Sequence, residues 1–140
     1  MDLLNNMNVV IDYIEDHLTD VIDRESLSKI AMCSSYHLSR MFPFLTGMTL
    51  SEYIRRRRIS MAALELSQTD STVLDVALKY GYDSPTAFTQ AFKMVHNMPP
   101  SAVKNGGKNL VYFPKLSFQL LIKGDTAMNV TLVKKKDLLY

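Results

Sequence analysis

The sequence predicts an all-α fold made of two helix-turn-helix subdomains joined by a long linker helix, with a short β-type C-terminal tail. Three observations predict it. Apolar residues recur at three- and four-residue steps from residue 3 to about residue 104. Serine, threonine and glycine interrupt that pattern where helices should start and stop. And Ser34-Ser35-Tyr36-His37-Leu38-Ser39-Arg40-Met41-Phe42 matches Ser84-Pro85-Thr86-Ala87-Phe88-Thr89-Gln90-Ala91-Phe92 at an offset of fifty, with Met48 and Ser51 matching Met98 and Ser101.

Residues 3–18 read as the first helix, with Leu3, Leu4, Met7, Val10, Ile11, Ile14 and Leu18 on one stripe and acids opposite. Asp23 is the expected N-cap of a second helix that buries Leu27, Ile30 and Ala31. Ser34-Ser35 starts a third, with Leu38, Met41, Phe42 and Leu45 inward and Gly47 as its left-handed end. Pro43 removes a backbone donor inside that helix, so a kink or an early end is expected there. Thr49 and Glu52 form a capping box for the longest helix, 49–68. Its inward stripe is Leu50, Tyr53, Ile54, Met61, Leu64 and Gln68, with Arg57 on the same side and its head reaching a carbonyl or a partner. Thr72 and Asp75 open a fifth helix with Val73, Val76, Ala77 and Tyr80, closed by Gly81. Ser84-Pro85 opens a sixth with Phe88, Ala91, Phe92 and Val95, and Pro99-Pro100-Ser101 ends it ahead of a short helical turn.

Asn105-Gly106-Gly107-Lys108-Asn109 reads as a loop, and a domain boundary is expected near residue 106. Beyond it the period changes to β-type at Val111, Phe113, Ser117 to Ile122 and Val130 to Val133, with Gly124 near a turn. Two strands bury no face alone and must pack on the helices or on another chain.

The formal net charge is only +2, which excludes a strongly basic, histone-like chain. Residues 1–39 hold two bases against seven acids, a net of −5, and residues 40–105 hold eight against five, a net of +3. Residues 106–140 hold six lysines against two acids, a net of +4, so only the later segments suit an anionic partner. The acidic first twenty residues, without Lys or Arg, do not read as a secretory signal, and no apolar run is long enough for a membrane helix. The single Cys33 excludes an intramolecular disulfide and a cysteine zinc site and fits a reducing cytosol. His17, His37 and His96 are scattered, so no metal is expected, and the nine methionines read as core packing. Paired carboxylates, a nucleophile motif and a phosphate loop are all missing, so neither an enzyme nor a cofactor is expected.

Each copy of the repeat is a short helix, a turn and a second helix opened by serine. Upstream, Ile30-Ala31 matches Val76-Ala77 at an offset of forty-six, which gives the second copy four extra residues in its turn. The face left open by the first helix carries Ser35, Tyr36, Ser39 and Arg40 in copy one and Pro85, Thr86, Thr89, Gln90 and Lys93 in copy two. Such groups suit base edges: Arg guanine, Gln adenine, and the Thr or Pro carbons a thymine methyl. Helix starts at Ser34 and Ser84 suit phosphate. On pattern alone, a plain helical bundle with a solvated polar face is the alternative.

The runs Tyr36 to Phe42, Thr46-Gly47-Met48-Thr49-Leu50-Ser51-Glu52-Tyr53-Ile54-Arg55-Arg56-Arg57-Arg58-Ile59, Val76-Ala77, Gly81 to Pro85, Phe88, Ala91-Phe92-Lys93 and Pro99-Pro100-Ser101 resemble the AraC/XylS family of bacterial transcription regulators. The match spans about residues 5–104. The resemblance implies a DNA-binding domain over residues 1–105, with homeodomain-like lobes at about 5–47 and 70–104 and the linker helix 49–68 between. It implies a sequence-specific regulator of transcription that puts two recognition helices into successive major grooves, about 34–36 Å apart. The family's base-reading positions fall on Tyr36, Ser39, Arg40, Pro85, Thr86 and Gln90. Phosphate contacts are expected from Ser34, Ser35, Arg55, Arg56, Ser84, Thr89 and Lys93.

Three departures stand out. Gln90 replaces a frequent Arg, which weakens a guanine preference; Pro43 replaces a frequent base; and His96-Asn97 replaces the usual Phe-Gly, which changes the helix exit. The expected partners are a double-stranded DNA operator and, if the protein activates, RNA polymerase, with no membrane partner. The expected location is the cytoplasm, in association with the nucleoid. Val111-Tyr112-Phe113-Pro114, Phe118-Gln119-Leu120, Ile122-Lys123-Gly124 and Met128-Asn129 resemble the opening of a GyrI-like effector-binding domain. Residues 106–140 hold only its start, so an effector ligand would act through a domain mostly absent here. The alternative function is a helical ligand-sensing or protein-interaction module that does not bind DNA.

Overall fold

The computed structural model describes residues 3–104, 110–123 and 127–134, with backbone alone from residue 120. The loop expected at 105–109 and the turn at Gly124 lie outside the described residues. Among the described residues the order is α1 (Leu3–Asp16), α2 (Arg24–Ala31), α3 (Ser35–Thr46), α4 (Leu50–Gln68), α5 (Val73–Lys79), α6 (Pro85–His96), α7 (Pro100–Lys104), β1 (Leu116–Lys123) and β2 (Ala127–Lys134). They pack as two units. One holds the chain to His17, Ile22–Glu52 and the segment from Pro114; the other holds Leu18–Val21 and Tyr53–Phe113.

In the first unit α1 buries Met7, Val10, Ile11 and Ile14 against α2 and β1. Leu27 and Ala31 of α2 and Leu38 and Phe42 of α3 complete the helical core. The tail joins it. β1 and β2 form an antiparallel hairpin in which Phe118 faces Leu132. Leu116 and Phe118 are buried, and the Phe118 ring meets Phe42 edge-on at 6.4 Å. The Asn8 amide on α1 satisfies both backbone groups of Phe118: Nδ2 donates to the carbonyl at 2.9 Å and Oδ1 accepts the N–H at 2.8 Å. A strand that could not bury a face alone, β1, thus packs Leu116 and Phe118 within the first unit, beside α1.

The second unit is built on α4, which buries Tyr53, Arg57, Ile59, Ser60, Ala62, Ala63, Leu64 and Leu66. These residues surround the helix. Of the expected stripe, Leu50, Tyr53, Arg57 and Leu64 are buried, Ile54 and Met61 are half-buried and Gln68 is exposed, and Ile59, Ser60, Ala62, Ala63 and Leu66 are buried beyond it. Ser60, Ala62 and Ala63 are small enough to admit neighbours on faces a stripe would leave to solvent. Around α4 lie Val76, Ala77 and Tyr80, then Phe88, Ala91 and Phe92 of α6 and Val103 of α7. Residues 110–113 belong to this unit and residues 114–119 to the other, so the packing does not part at the boundary that composition suggests near residue 106.

The helix starts follow the capping signals. Ser34, Thr49, Thr72 and Ser84 each accept the backbone N–H three residues on, at 3.0–3.1 Å. Asp23 sits at the N-cap of α2 without a side-chain cap bond. Pro43 does not end α3, which runs to Thr46 and closes on Gly47 at φ +80°.

The turns correct the register of the repeat. Cys33 N–H donates to Ser28 O, and Tyr82 N–H donates to Ala77 O. The left-handed residues just before them are Met32 (φ 60°) and Gly81 (φ 85°). Equivalent positions are therefore forty-nine apart, and buried Leu27 corresponds to Val76. Ile30-Ala31 does not correspond to Val76-Ala77, and the second turn is longer by one residue rather than four.

Candidate nucleic-acid interface

Each unit holds one serine-capped helix with a buried face and an exposed polar face. On α3, Leu38 and Phe42 point inward while Tyr36 (68% exposed) and Arg40 lie one turn apart on the surface. Arg40 Nη1 donates to the Tyr36 hydroxyl at 3.1 Å, and its guanidinium lies 5.4 Å from the centre of the Tyr36 ring. The pair holds a guanidinium fork in place before any partner arrives. Ser39 is half-buried; its hydroxyl donates to Ser35 O at 2.8 Å and accepts from Arg24 Nη1 at 3.4 Å. With its proton committed, Ser39 can meet a partner only as an acceptor. The Ser34 hydroxyl is exposed and uses a lone pair for its cap, so its proton remains able to donate.

On α6, Phe88, Ala91 and Phe92 are buried and Pro85, Thr86, Gln90 and Lys93 are exposed, with Ser84 and Thr89 half-buried. Pro85 occupies the first helical position, and Ser84 caps the helix by accepting Ala87 N–H. The exit differs from a glycine exit yet works the same way: Asn97 takes φ 59° and donates its N–H to Lys93 O at 2.9 Å. His96 is only 2% exposed and packs on Phe92. Its Nδ1 accepts Val111 N–H at 3.0 Å, which puts the ring proton on Nε2, 3.4 Å from Ile59 O. Burial pushes its pKa below the usual imidazole value, and the Ile59 contact opposes that shift. Phe113 N–H donates to Ser60 Oγ at 2.8 Å, so residues 111–113 form a strap tied to α4 and α6.

The arginine run divides by role. Arg57 is 3% exposed; Nη1 donates to Phe113 O at 2.6 Å, and the guanidinium lies 5.4 Å from the Tyr112 ring centre. Its head finds a carbonyl, as its position on the inward stripe implies. Arg58 donates to Leu18 O at 2.8 Å and to Asp20 O at 2.7 Å, holding the chain that follows α1. Arg55 is exposed, and Arg56 is half-buried over the Phe113 ring at 5.3 Å.

Three further residues of the α3 surface were not among the expected contact residues, and one of them, Met41, expected inward, is only half-buried. His37, Met41 and Phe44 line, with Tyr36 and Arg40, an open cavity of about 350 Å³. Phe44 is 87% exposed. The available signal was spacing, because 36, 40 and 44 form one i, i+4, i+8 ridge. Among the described residues there is no group of His, Cys, Asp and Glu placed to hold a metal. None of their helices is long and apolar enough to cross a membrane.

A family model described as a helix-turn-helix domain matches residues 27–106. Over 92 residues the chain is 40% identical to the HTH-type transcriptional activator AarP of Providencia stuartii, covering 66% of this chain and 68% of AarP. The chain belongs to the AraC/XylS family of transcription regulators. It is also 39% identical over 94 residues to the uncharacterized HTH-type transcriptional regulator YbfP of Bacillus subtilis, covering 67% of this chain and 32% of YbfP, so it spans about a third of that relative. The DNA-binding domain of AdpA, a global transcriptional factor solved in complex with a target DNA, superposes with a TM-score of 0.65 and 27% identity, covering 76% of this chain and 93% of that one. In an AraC/XylS domain α3 and α6 are the second helices of the two helix-turn-helix units, and these are the helices whose exposed faces are described above.

Proposed function

We propose that this chain regulates transcription by reading double-stranded DNA with α3 and α6 in successive major grooves. The observation that carries this reading is the duplicated, serine-capped helix with an exposed polar face, found once in each unit. Arg40, oriented by Tyr36, meets a guanine, and Ser39 accepts from a base amino group. Gln90 meets an adenine, with Pro85 and Thr86 against thymine methyls. Ser34, Ser35, Ser84, Thr89, Lys93, Arg55 and Arg56 take phosphates and set position rather than sequence. Residues 1–105 do the reading, and the segment from 106 onward opens an effector-binding part whose first strand packs in the first unit. RNA polymerase is the further partner if the protein activates, the site of action is the cytoplasm, and no catalysis is involved.

The test is a fluorescence titration of the chain with random duplex DNA, and with duplexes selected from a random library, at low and moderate salt. Steep salt dependence on both, with tighter binding to selected duplexes, supports the reading. Binding without salt dependence, or equal affinity for both, refutes it and favours a protein-interaction module.

A further inference from the structure

The exposed face of α3 is more apolar than phosphate or polar base recognition requires. Tyr36, Arg40 and Phe44 form one ridge and His37 and Met41 the next, and the furrow between them opens to solvent with a volume of about 350 Å³. Phe44 stands 87% exposed at one end of this furrow, with the half-buried Met41 beside it and the Arg40 head one turn away. An exposed ring beside a half-buried methionine, on one helix face, points to an apolar occupant. The furrow is continuous with the Tyr36–Arg40 pair, so whatever α3 reads lies against it.

Among the base edges of a B-DNA major groove the choice is narrow. Every pair presents hydrogen-bond donors and acceptors, and the apolar group among them is the C5 methyl of thymine. We infer that Met41 and Phe44 form a thymine-methyl site next to Arg40. The inference rests on the reading that α3 enters a major groove, and it names part of the sequence that α3 selects. One helical turn advances about 5.4 Å, against about 3.4 Å per base step along a strand. The thymine therefore lies one or two base pairs from the base read by Arg40.

Deoxyuridine tests this, because it removes the methyl and keeps every hydrogen-bonding group. The probe is a fluorescein-labelled duplex selected by the chain from a random library, with each thymine of the first half-site replaced singly by deoxyuridine. One replacement should weaken binding about fourfold, the effect of one buried methyl. Phe44→Ala should lose a similar factor on the thymine duplex and then bind the two duplexes equally. Phe44→Leu keeps an apolar contact and should keep the thymine preference. Arg40→Ala should keep it too while losing selectivity at its own base. Because Phe44 is exposed, all Phe44 variants should melt with the parent. The inference is overturned if the selected half-site holds no thymine, if no replacement matters, if Phe44→Ala binds like the parent, or if it retains the full thymine preference. A chain that binds random and selected duplexes equally overturns the proposed function instead, and the two failures are read from the same titration.

Discussion

Replacing His96 with Leu should loosen the strap of residues 111–113 without opening a cavity. The imidazole makes two polar contacts, and they differ in weight. Val111 N–H donates to Nδ1 at 3.0 Å, and losing that acceptor costs about 1 kcal/mol. The Nε2 contact to Ile59 O is long, at 3.4 Å, and that carbonyl lies inside α4 where the helix ladder also uses it, so its loss adds about 0.5 kcal/mol or less. Leu keeps the apolar packing on Phe92. The total, about 1 kcal/mol, corresponds to a fall in Tm of about 3–5 °C. The pH dependence gives a second readout. Burial holds the folded-state pKa of His96 below its unfolded value near 6.5, so between the two the unfolded chain binds more protons. The stability that neutral His96 contributes is complete above pH 6.5 and is lost as pH falls through the lower folded value. Urea midpoints at pH 7.5 and 5.5 should therefore converge between parent and variant as the solution becomes more acid. His96→Gln, which offers a non-titrating acceptor to Val111, should recover part of the stability at pH 7.5 and none of the pH slope. Equal midpoints at pH 7.5, or an unchanged slope in the Leu variant, would refute the reasoning.

Phe118→Ala removes a buried ring from against Phe42 and should destabilise the first unit by about 3–5 kcal/mol in urea titration; a mutation in a merely trailing segment would change nothing. Met32 holds a left-handed backbone at φ 60° where its counterpart is Gly81, so Met32→Gly should raise stability by about 1 kcal/mol in the same assay. Arg40→Ala should cost about 1–3 kcal/mol on a selected duplex and relax specificity at one position, measured against a panel of base changes. The slope of log K against log salt should be near −3, since the proposed reading gives phosphates to three cations, Arg55, Arg56 and Lys93; a slope beyond about −6 would bring further lysines into contact with DNA.

Helix starts were legible because a cap needs a particular side chain at a particular place. Ser34, Thr49, Thr72 and Ser84 are residues whose oxygen reaches the N–H three positions on, and all four do so. The register of the repeat was not, because the glycine that marks the second turn is Met32 in the first, and a left-handed methionine leaves no local sign. The Ile30-Ala31 likeness then drew the alignment three residues away from the packing. The docking of β1 was equally silent. Its anchor is Asn8, 110 positions distant, and a half-buried asparagine on a helix looks like any solvated one until its partner is seen. On α4 the periodic stripe points to the buried Leu50, Tyr53, Arg57 and Leu64, whereas the burial of Ile59, Ala62, Ala63 and Leu66 depends on neighbours packed on other faces, which the periodicity of one helix does not show. On the reading face, Tyr36 and Arg40 were visible through the repeat, whereas Phe44 fell outside the repeated segment.

The charge of the domain makes the division of the arginine run matter. Residues 1–105 hold ten bases and twelve acids, so their net of −2 supplies no general attraction for a polyanion. Two of the four consecutive arginines are spent inside the fold, Arg57 on Phe113 O and Arg58 on the carbonyls of Leu18 and Asp20. Lys79 pairs with Glu65, and Lys104 donates to Thr69 O. Affinity must then come from a few cations at fixed places and from base edges, rather than from a basic surface. On the proposed reading, such an arrangement lowers binding to arbitrary sequence more than to a matched site, because the matched site alone would engage the Tyr36–Arg40 pair and the α6 face in addition to phosphates. A weakly charged domain that reads DNA through two pre-shaped helix faces would trade total affinity for selectivity, and the acids of the first helix would be part of that trade.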